Sequence, residues 1–251
     1  MAVSILRTPA IVAGVSRKVV ILELEPSNPL SASPSDPIAL RGPAQVLHIT
    51  SCIRGPESRT LRLAGIFFAE LARAAPAAKV TTLDLFATPP PLDTPTYAAL
   101  TKSINRAPMS PEEQALVARW DPWIDNLITA DLLVFTTPLW NYHAPIQLKA
   151  FIDIVTQPGK SFRYTHEGPT GVLDGKRAVL LQTRGAWGPD HLGAWLKDCL
   201  WLLGGAGLDV VKADKQDLGT PEEKETELAR ATDAARTLAR HLAGAPAERR
   251  A

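Results

Sequence analysis

The chain has 251 residues, 45% of them hydrophobic and 21% charged, with a formal net charge of +1. That composition belongs to an ordinary globular protein and excludes a disordered or fibrous one, and the near-neutral charge leaves no electrostatic footprint for nucleic acid or an anionic membrane. No apolar run approaches the roughly 18 residues of a membrane span, and the two cysteines, Cys52 and Cys199, lack the spacing of a disulfide framework or zinc site and point to a reducing, cytoplasmic compartment.

Residues 1–43 read as an N-terminal extension. Its first 22 residues carry Arg7, Arg17 and Lys18 without an acid, a faint likeness to an organelle presequence. Lys18 to Leu24 (KVVILEL) reads instead as a strand. Prolines at 26, 29, 34, 37 and 43 mark a linker. The folded domain is expected over 44–243, with a short solvated tail, 244–251, bearing Arg249 and Arg250.

From Ala44 strand and helix alternate. Ala44 to Thr50 (AQVLHIT) is a strand, and Ser58 to Ala74 a helix with Leu61, Ala64, Phe68 and Leu71 on one face. Lys79 to Leu85 (KVTTLDL) is the second strand, followed by a proline-rich excursion at 89–95. Ser110-Pro111-Glu112-Glu113 supplies an N-cap, a first-turn proline and a capping-box glutamate. The helix it opens carries Leu116, Trp120, Ile124 and Leu127, and Pro122 should kink or split it. Ala130 to Thr137 (ADLLVFTT) is an apolar strand of the kind buried on both faces of a parallel sheet.

Pro138 ends that strand, Leu139-Trp140-Asn141-Tyr142 form a turn, and Pro145 starts a helix that runs to about Val155. Phe162 to Val172 is a polar, glycine-containing connection. Arg177 to Thr183 (RAVLLQT) is the fourth strand, Asp190 to Leu203 a helix stopped by Gly204, and Leu208 to Lys212 the fifth strand. Thr220-Pro221-Glu222-Glu223 opens the last helix, which ends near Leu242. Five strands separated by helices predict an α/β fold: a flavodoxin-like five-stranded parallel sheet of order 2-1-3-4-5 with helices on both faces. Its ligand site is expected outside the carboxyl ends of the strands.

Three strand-end loops then carry the chemistry. In the first, the hydroxyls of Ser51, Ser58 and Thr60 stand before a helix N-terminus, a combination suited to a phosphate monoester. Ser58 also suits a plain helix cap. Neither GxGxxG nor GxxxxGK[ST] occurs, which removes the dinucleotide and Walker readings. In the second loop, Trp140 or Tyr142 can stack on a flat aromatic ligand while the Asn141 amide meets its polar rim. In the third, Gly185 permits close backbone approach, and N–H groups there can stabilise developing negative charge, with Arg184 able to add to it.

Three segments, TPLWNYHAPIQLKAFID, FRYTHEGPTGVLDGK and TRGAWG, resemble the FMN-dependent NADH azoreductase family, flavodoxin-like NAD(P)H:quinone oxidoreductases that act as homodimers. The likeness spans about Ala44 to Leu242. It implies that Ser51 and Ser58-Arg59-Thr60 hold the FMN phosphate, that Leu139, Trp140, Asn141 and Tyr142 line the isoalloxazine, and that Thr183, Arg184, Gly185 and Ala186 close its pyrimidine side. Two departures stand out: the family's Gly-Gly in the third loop is Gly185-Ala186 here, and the phosphate loop is a residue longer, so that Glu57 and Ser58 compete for one role.

The activity so implied is ping-pong: NADH or NADPH reduces FMN, and a quinone or azo compound takes the electrons, with Phe162, Tyr164 and Trp187 as walls of the substrate pocket. A bound flavin carries the reactive step, so no catalytic side chain and no metal are expected. His143, His166 and His191 lack ligand spacing, His48 reads as core, His143 as a cap for the helix at Pro145, and Cys52 as a buried small residue. The alternative is a flavodoxin-like single-electron carrier, disfavoured because carriers present an acidic docking face. A flavin-free scaffold is the third reading. The helix bearing Trp195 and Leu203 is a candidate dimer surface.

Overall fold

The computed structural model describes residues 40, 44–90, 92–205 and 207–244. The expected strand at Lys18–Leu24, nearly all of the linker and the arginine-bearing tail lie outside the described residues. Leu40, within the expected linker, donates its N–H to the Leu242 carbonyl at 2.8 Å and packs on the core.

The sheet is built from β1 (Gln45–Thr50), β2 (Lys79–Asp84), β3 (Leu132–Pro138), β6 (Arg177–Thr183) and β7 (Gly207–Ala213), with a separate hairpin of β4 (Phe162–Thr165) and β5 (Gly168–Gly171). The order is β2-β1-β3-β6-β7 with every pairing parallel. Setting the hairpin aside, this is the expected 2-1-3-4-5. The helices are α1 (Arg59–Ala74), α2 (Thr94–Ile104), α3 (Pro111–Ala118), α4 (Asp121–Thr129), α5 (Ile146–Val155), α6 (Leu192–Leu202) and α7 (Pro221–Leu242).

Alternation along the central strands divides the core in two. Leu47, Ile49, Leu133, Phe135, Ala178 and Leu180 face α4, α5 and α6. Val46, Leu132, Val134, Val179 and Leu181 face α1 and α7. Burial on both faces is what the unbroken apolar run of β3 required.

The details refine several expectations. Pro122 splits its helix, as expected: α3 ends at Ala118 and α4 begins at Asp121. Both capping boxes form, at Ser110 and at Thr220. The buried face of α1 is centred on Leu63, Phe67 and Leu71, whereas Leu61 and Phe68 are only partly buried, because the helix faces two neighbours, the sheet and α7. Pro145 sits one residue before α5 as its N-cap rather than at its first position.

Two elements were hidden by their punctuation. The proline-rich stretch contains the start of α2: Asp93 caps the Thr96 N–H at 2.8 Å and Pro95 occupies the first turn, where its missing N–H costs nothing. The polar connection at 162–172 is a hairpin whose Gly171 packs on the end of α6; a Cβ there would lie 2.0 Å from the Leu203 carbonyl oxygen.

Candidate functional site

In a parallel sheet all strand ends of one kind share a rim. The loops after β1, β3, β6 and β7 therefore meet, and their contacts are short. The Thr60 and Thr183 hydroxyls lie 2.7 Å apart, joining the first loop to the third. The Leu139 N–H donates to the Thr183 carbonyl at 3.0 Å, and the His191 N–H to the Tyr142 carbonyl at 3.1 Å, joining the second to the third. The loop after β7 is zipped to the third: Gln216 N–H to Arg184 O at 3.0 Å, and Asp217 and Leu218 N–H both to Gly185 O at 2.9 Å.

Between these loops lies a cleft of about 210 Å3. The first loop contributes Cys52, Ile53, Arg54, Ser58, Arg59 and Thr60. Pro138, Leu139 and Trp140 come from the second loop and Thr183, Arg184 and Gly185 from the third, with Gln216 and Asp217 from the fourth. Eight of the twelve residues expected to bind cofactor thus border one space. The other four are nearby or turned away. Ser51 is buried, its hydroxyl donating to Thr137 Oγ1 at 2.7 Å. Asn141 and Tyr142 are exposed at the tip of the second loop, and Ala186 accepts the Lys215 N–H through its carbonyl at 3.1 Å.

At the anion end, Ser58 is the N-cap of α1 and its hydroxyl accepts the Leu61 N–H at 3.2 Å. The preceding N–H groups of Arg59 and Thr60 have no acceptor among the described residues, as at any free helix end. Cys52 faces the cleft where Ser51 does not. Burial pushes its thiol above the ordinary value, partly offset by the Ser58, Thr50 and Thr60 hydroxyls, so it stays protonated and neutral. Arg59 reaches across to Asp217, Nη1 to Oδ1 at 2.5 Å, bridging the first and fourth loops.

Backbone shape sets the other end. Trp140 and His143 exchange N–H···O bonds of 3.0 and 2.9 Å, closing a tight turn whose central residues, Asn141 at φ 45° and Tyr142 at φ 68°, are both left-handed. That geometry is a type I′ turn, for which Asn is suited and Tyr is not. It answers what the Pro138-to-Pro145 segment does: the turn holds Trp140 at the cleft and sends Tyr142 onto the Gly188 backbone, where a Cβ on Gly188 would sit 3.8 Å from the ring. His143 is not a cap of α5, which has no side-chain cap; its ring packs on Trp195 at 5.0 Å between centroids.

Arg184 is tied down. Its guanidinium donates to both Asp214 carboxylate oxygens at 2.8 and 2.7 Å and to the Gly188 and Pro189 carbonyls. The expected pocket walls differ in placement. Phe162 is buried, edge-on to Tyr164 in the hairpin; Tyr164 is exposed there; Trp187 is exposed, with Lys215 Nζ 5.9 Å above its ring. His48 is core, hydrogen-bonded to Thr136 at 2.9 Å and packed on Phe68. On α6, Leu203 is core and Trp195 half-buried, while Trp201 is the exposed aromatic.

Sequence reasoning passed over Ile53, Arg54, Gln216 and Asp217. The run ADKQDLG after β7 was the available signal, since a polar loop leaving a parallel strand must open on the same rim as the others.

Hydroxyls, a neutral thiol, guanidiniums and free helix N–H groups at one end suit a phosphate monoester. An exposed indole and a side-chain-free glycine at the other suit a flat ring. The donor set fits a phosphorylated flavin.

The comparisons agree. A profile of the flavodoxin-like fold family matches residues 44–239. An FMN-dependent NADH:quinone oxidoreductase of Azospirillum brasilense is 32% identical over 195 residues, covering 74% of this chain and 93% of its own length. Another from Shewanella amazonensis is 37% identical over 195 residues, with coverages of 76% and 96%. The crystal structure of a Bacillus anthracis azoreductase superposes with a TM-score of 0.70 at 26% identity, covering 79% of this chain and 99% of that one. The matched span starts one residue before β1 and ends inside α7, so the whole sheet and all four rim loops fall within it: the chain belongs to the flavodoxin-like fold family, with relatives curated as FMN-dependent NADH:quinone oxidoreductases.

Proposed function

We propose that this protein is an FMN-dependent NAD(P)H:quinone oxidoreductase that also reduces azo compounds. The observation that carries the reading is the convergence of Ser58, Trp140 and Gly185 on one cleft at the carboxyl rim of the sheet. FMN held here would supply the two-electron redox chemistry of a ping-pong cycle between NADH or NADPH and a quinone or azo acceptor. The chain's own residues bind and orient. Thr60, Arg59, the Ser58 hydroxyl and the free N–H groups of α1 hold the phosphate, with the Cys52 thiol at their centre. Trp140 and Leu139 support the ring, and the third loop from Thr183 to Ala186 faces its polar edge, where the Gly185 and Ala186 N–H groups, left without an acceptor among the described residues, stabilise negative charge without protonation. Arg184 keeps that backbone rigid through Asp214.

The cleft's 210 Å3 falls below the roughly 300 Å3 at which enclosed ligand pockets begin, so one chain leaves a flavin partly open. A homodimer, in which the second copy covers the open side near the exposed Tyr142 and Trp187, is part of the proposal. Tyr142 and Trp187 then join the acceptor pocket. A cytoplasmic location fits the unpaired thiols of Cys52 and Cys199. The single-electron carrier is the weaker reading, because the relatives that share most of this chain's length are named as oxidoreductases using NADH.

The test uses purified protein loaded with FMN. Anaerobic NADH or NADPH should bleach the flavin absorbance, and a quinone should restore it, with parallel double-reciprocal plots. Loaded protein that no nicotinamide can bleach would sink the enzyme reading and leave the carrier; protein that retains no flavin would sink both.

A further inference from the structure

Beside the first loop the cleft continues into an open trough of about 540 Å3 lined by Arg54, Pro56, Glu57, Arg59 and Arg62. Arg54 and Arg59 line both spaces, whereas Trp140, Thr183 and Gly185 line only the cleft. The trough therefore extends from the anion end of the cleft, away from the ring end, along the first turns of α1. Arg59 and Arg62 stand three residues apart on that helix and share a face. Arg54 precedes the 3-10 turn Gly55–Glu57 that leads into it.

The charges there are unbalanced. Three guanidiniums face one carboxylate in the lining, that of Glu57. Among the described residues the side chains of Arg54 and Arg62 make no hydrogen bond or ion pair, and Arg59 has a single carboxylate partner, Asp217. Several arginines elsewhere on this surface are paired, Arg184 with Asp214, Arg177 with Asp209 and Arg230 with Glu227, and the exposed Arg106 and Arg163, which have no such partner among the described residues, line neither of these two spaces. Planar guanidiniums left free around a concave space are the arrangement that captures phosphate oxygens in pairs.

We infer that the trough is a subsite for a second phosphate, that of an adenine nucleotide, placed next to the phosphate already assigned to the cleft. The inference rests on the flavin reading above. The geometry favours an adenylyl group joined to the flavin's own phosphate, as in FAD, because the trough begins where the phosphate end of the cleft stops. The 2′-phosphate of NADPH offers the same chemistry from a second source.

The experiment titrates apoprotein with FMN and with FAD, following flavin fluorescence, for the wild type, Arg62→Gln and Arg62→Lys. Arg62 is exposed and lines only the trough, so the variants should fold as the wild type does, which circular dichroism melting checks. Loss of one charge-assisted contact should weaken FAD about tenfold and leave FMN within about twofold. Lysine should restore part of the loss, since it keeps the charge but not the fork. A parallel arm measures KM for NADPH and NADH. If Arg62→Gln raises KM for NADPH alone and spares FAD, the subsite stands with the nicotinamide dinucleotide as its source. If all four ligands respond alike, or none responds, the trough is a solvated face and the inference falls. Failure of the wild type to take up FMN at all is read separately, and brings down the flavin reading together with the subsite built on it.

Discussion

Asp217 lays its carboxylate where the side chain of residue 185 would be: a Cβ on Gly185 would come 2.5 Å from Asp217 Oδ2 and 3.1 Å from its Cβ and Cγ. Real Cβ contacts are not that short, so any larger residue at 185 must drive Asp217 off its seat and away from Arg59.

Gly185→Ala is therefore expected to break the Arg59–Asp217 bridge and loosen the joint between the first and fourth loops. Overpacking of this kind costs about 1 kcal/mol or more. FMN affinity should fall severalfold, measured by fluorescence titration. Pairing the change with Asp217→Ala removes the clash and should recover most of the thermal stability; if it does not, the contact is not the cause.

Asp217→Asn alone should act in the opposite direction on the anion. It releases the Arg59 guanidinium, whose carboxylate partner it is, and removes a negative charge from the rim. Both partners are partly exposed, so the ion pair contributes little to stability. FMN and inorganic phosphate should bind about three- to tenfold more tightly at low salt, with the gain shrinking as ionic strength rises. Unchanged affinity would mean Arg59 takes no part in holding the phosphate.

Tyr142 is held at φ 68° in the turn that presents Trp140. Left-handed backbone costs a bulky residue about 1–2 kcal/mol, so Tyr142→Gly should raise Tm by a few degrees. It should also lower kcat/KM for quinones by removing an exposed ring from the rim. Stability gained while turnover is lost is the signature expected where strain is maintained for function.

His48 ties stability to pH. Burial lowers its pKa from 6.5 to about 4, with the Asp84 carboxylate opposing. Since the folded value lies below the unfolded one, its contribution is complete above pH 6.5 and is lost as pH falls towards 4. Denaturant melts should show about 2 kcal/mol less stability at pH 5 than at pH 7 from this group. His48→Gln should flatten that difference, and equal slopes in the two proteins would refute the assignment.

Much of the architecture was legible because it depends on neighbours in the chain. The apolar run of β3, the capping boxes at Ser110 and Thr220 and the helix-splitting Pro122 each act over a few residues, and all three appear where expected. The starting proline of α2 was misread because Pro marks a loop and a first helical turn alike. The β4–β5 hairpin was missed because one of its glycines, Gly171, is explained by contact with the end of α6, a partner some thirty residues away in the chain.

Strand order and rim loops followed from the alternation of elements and the handedness of their crossovers, so the sequence by itself determined where on the molecule a ligand site would lie. Which atoms face into that site was decided only by tertiary structure. Ser51 and Cys52 are adjacent, and the local signal favoured the serine; pairing of the first loop with β3 turns Ser51 towards Thr137 and leaves Cys52 at the cleft. Arg59 and Asp217 are 158 residues apart, and nothing local to either announces the other. Side-chain direction depends on register against a neighbouring strand, and a contact between loops depends on two strands ending at one rim, so both exist only after the sheet has closed.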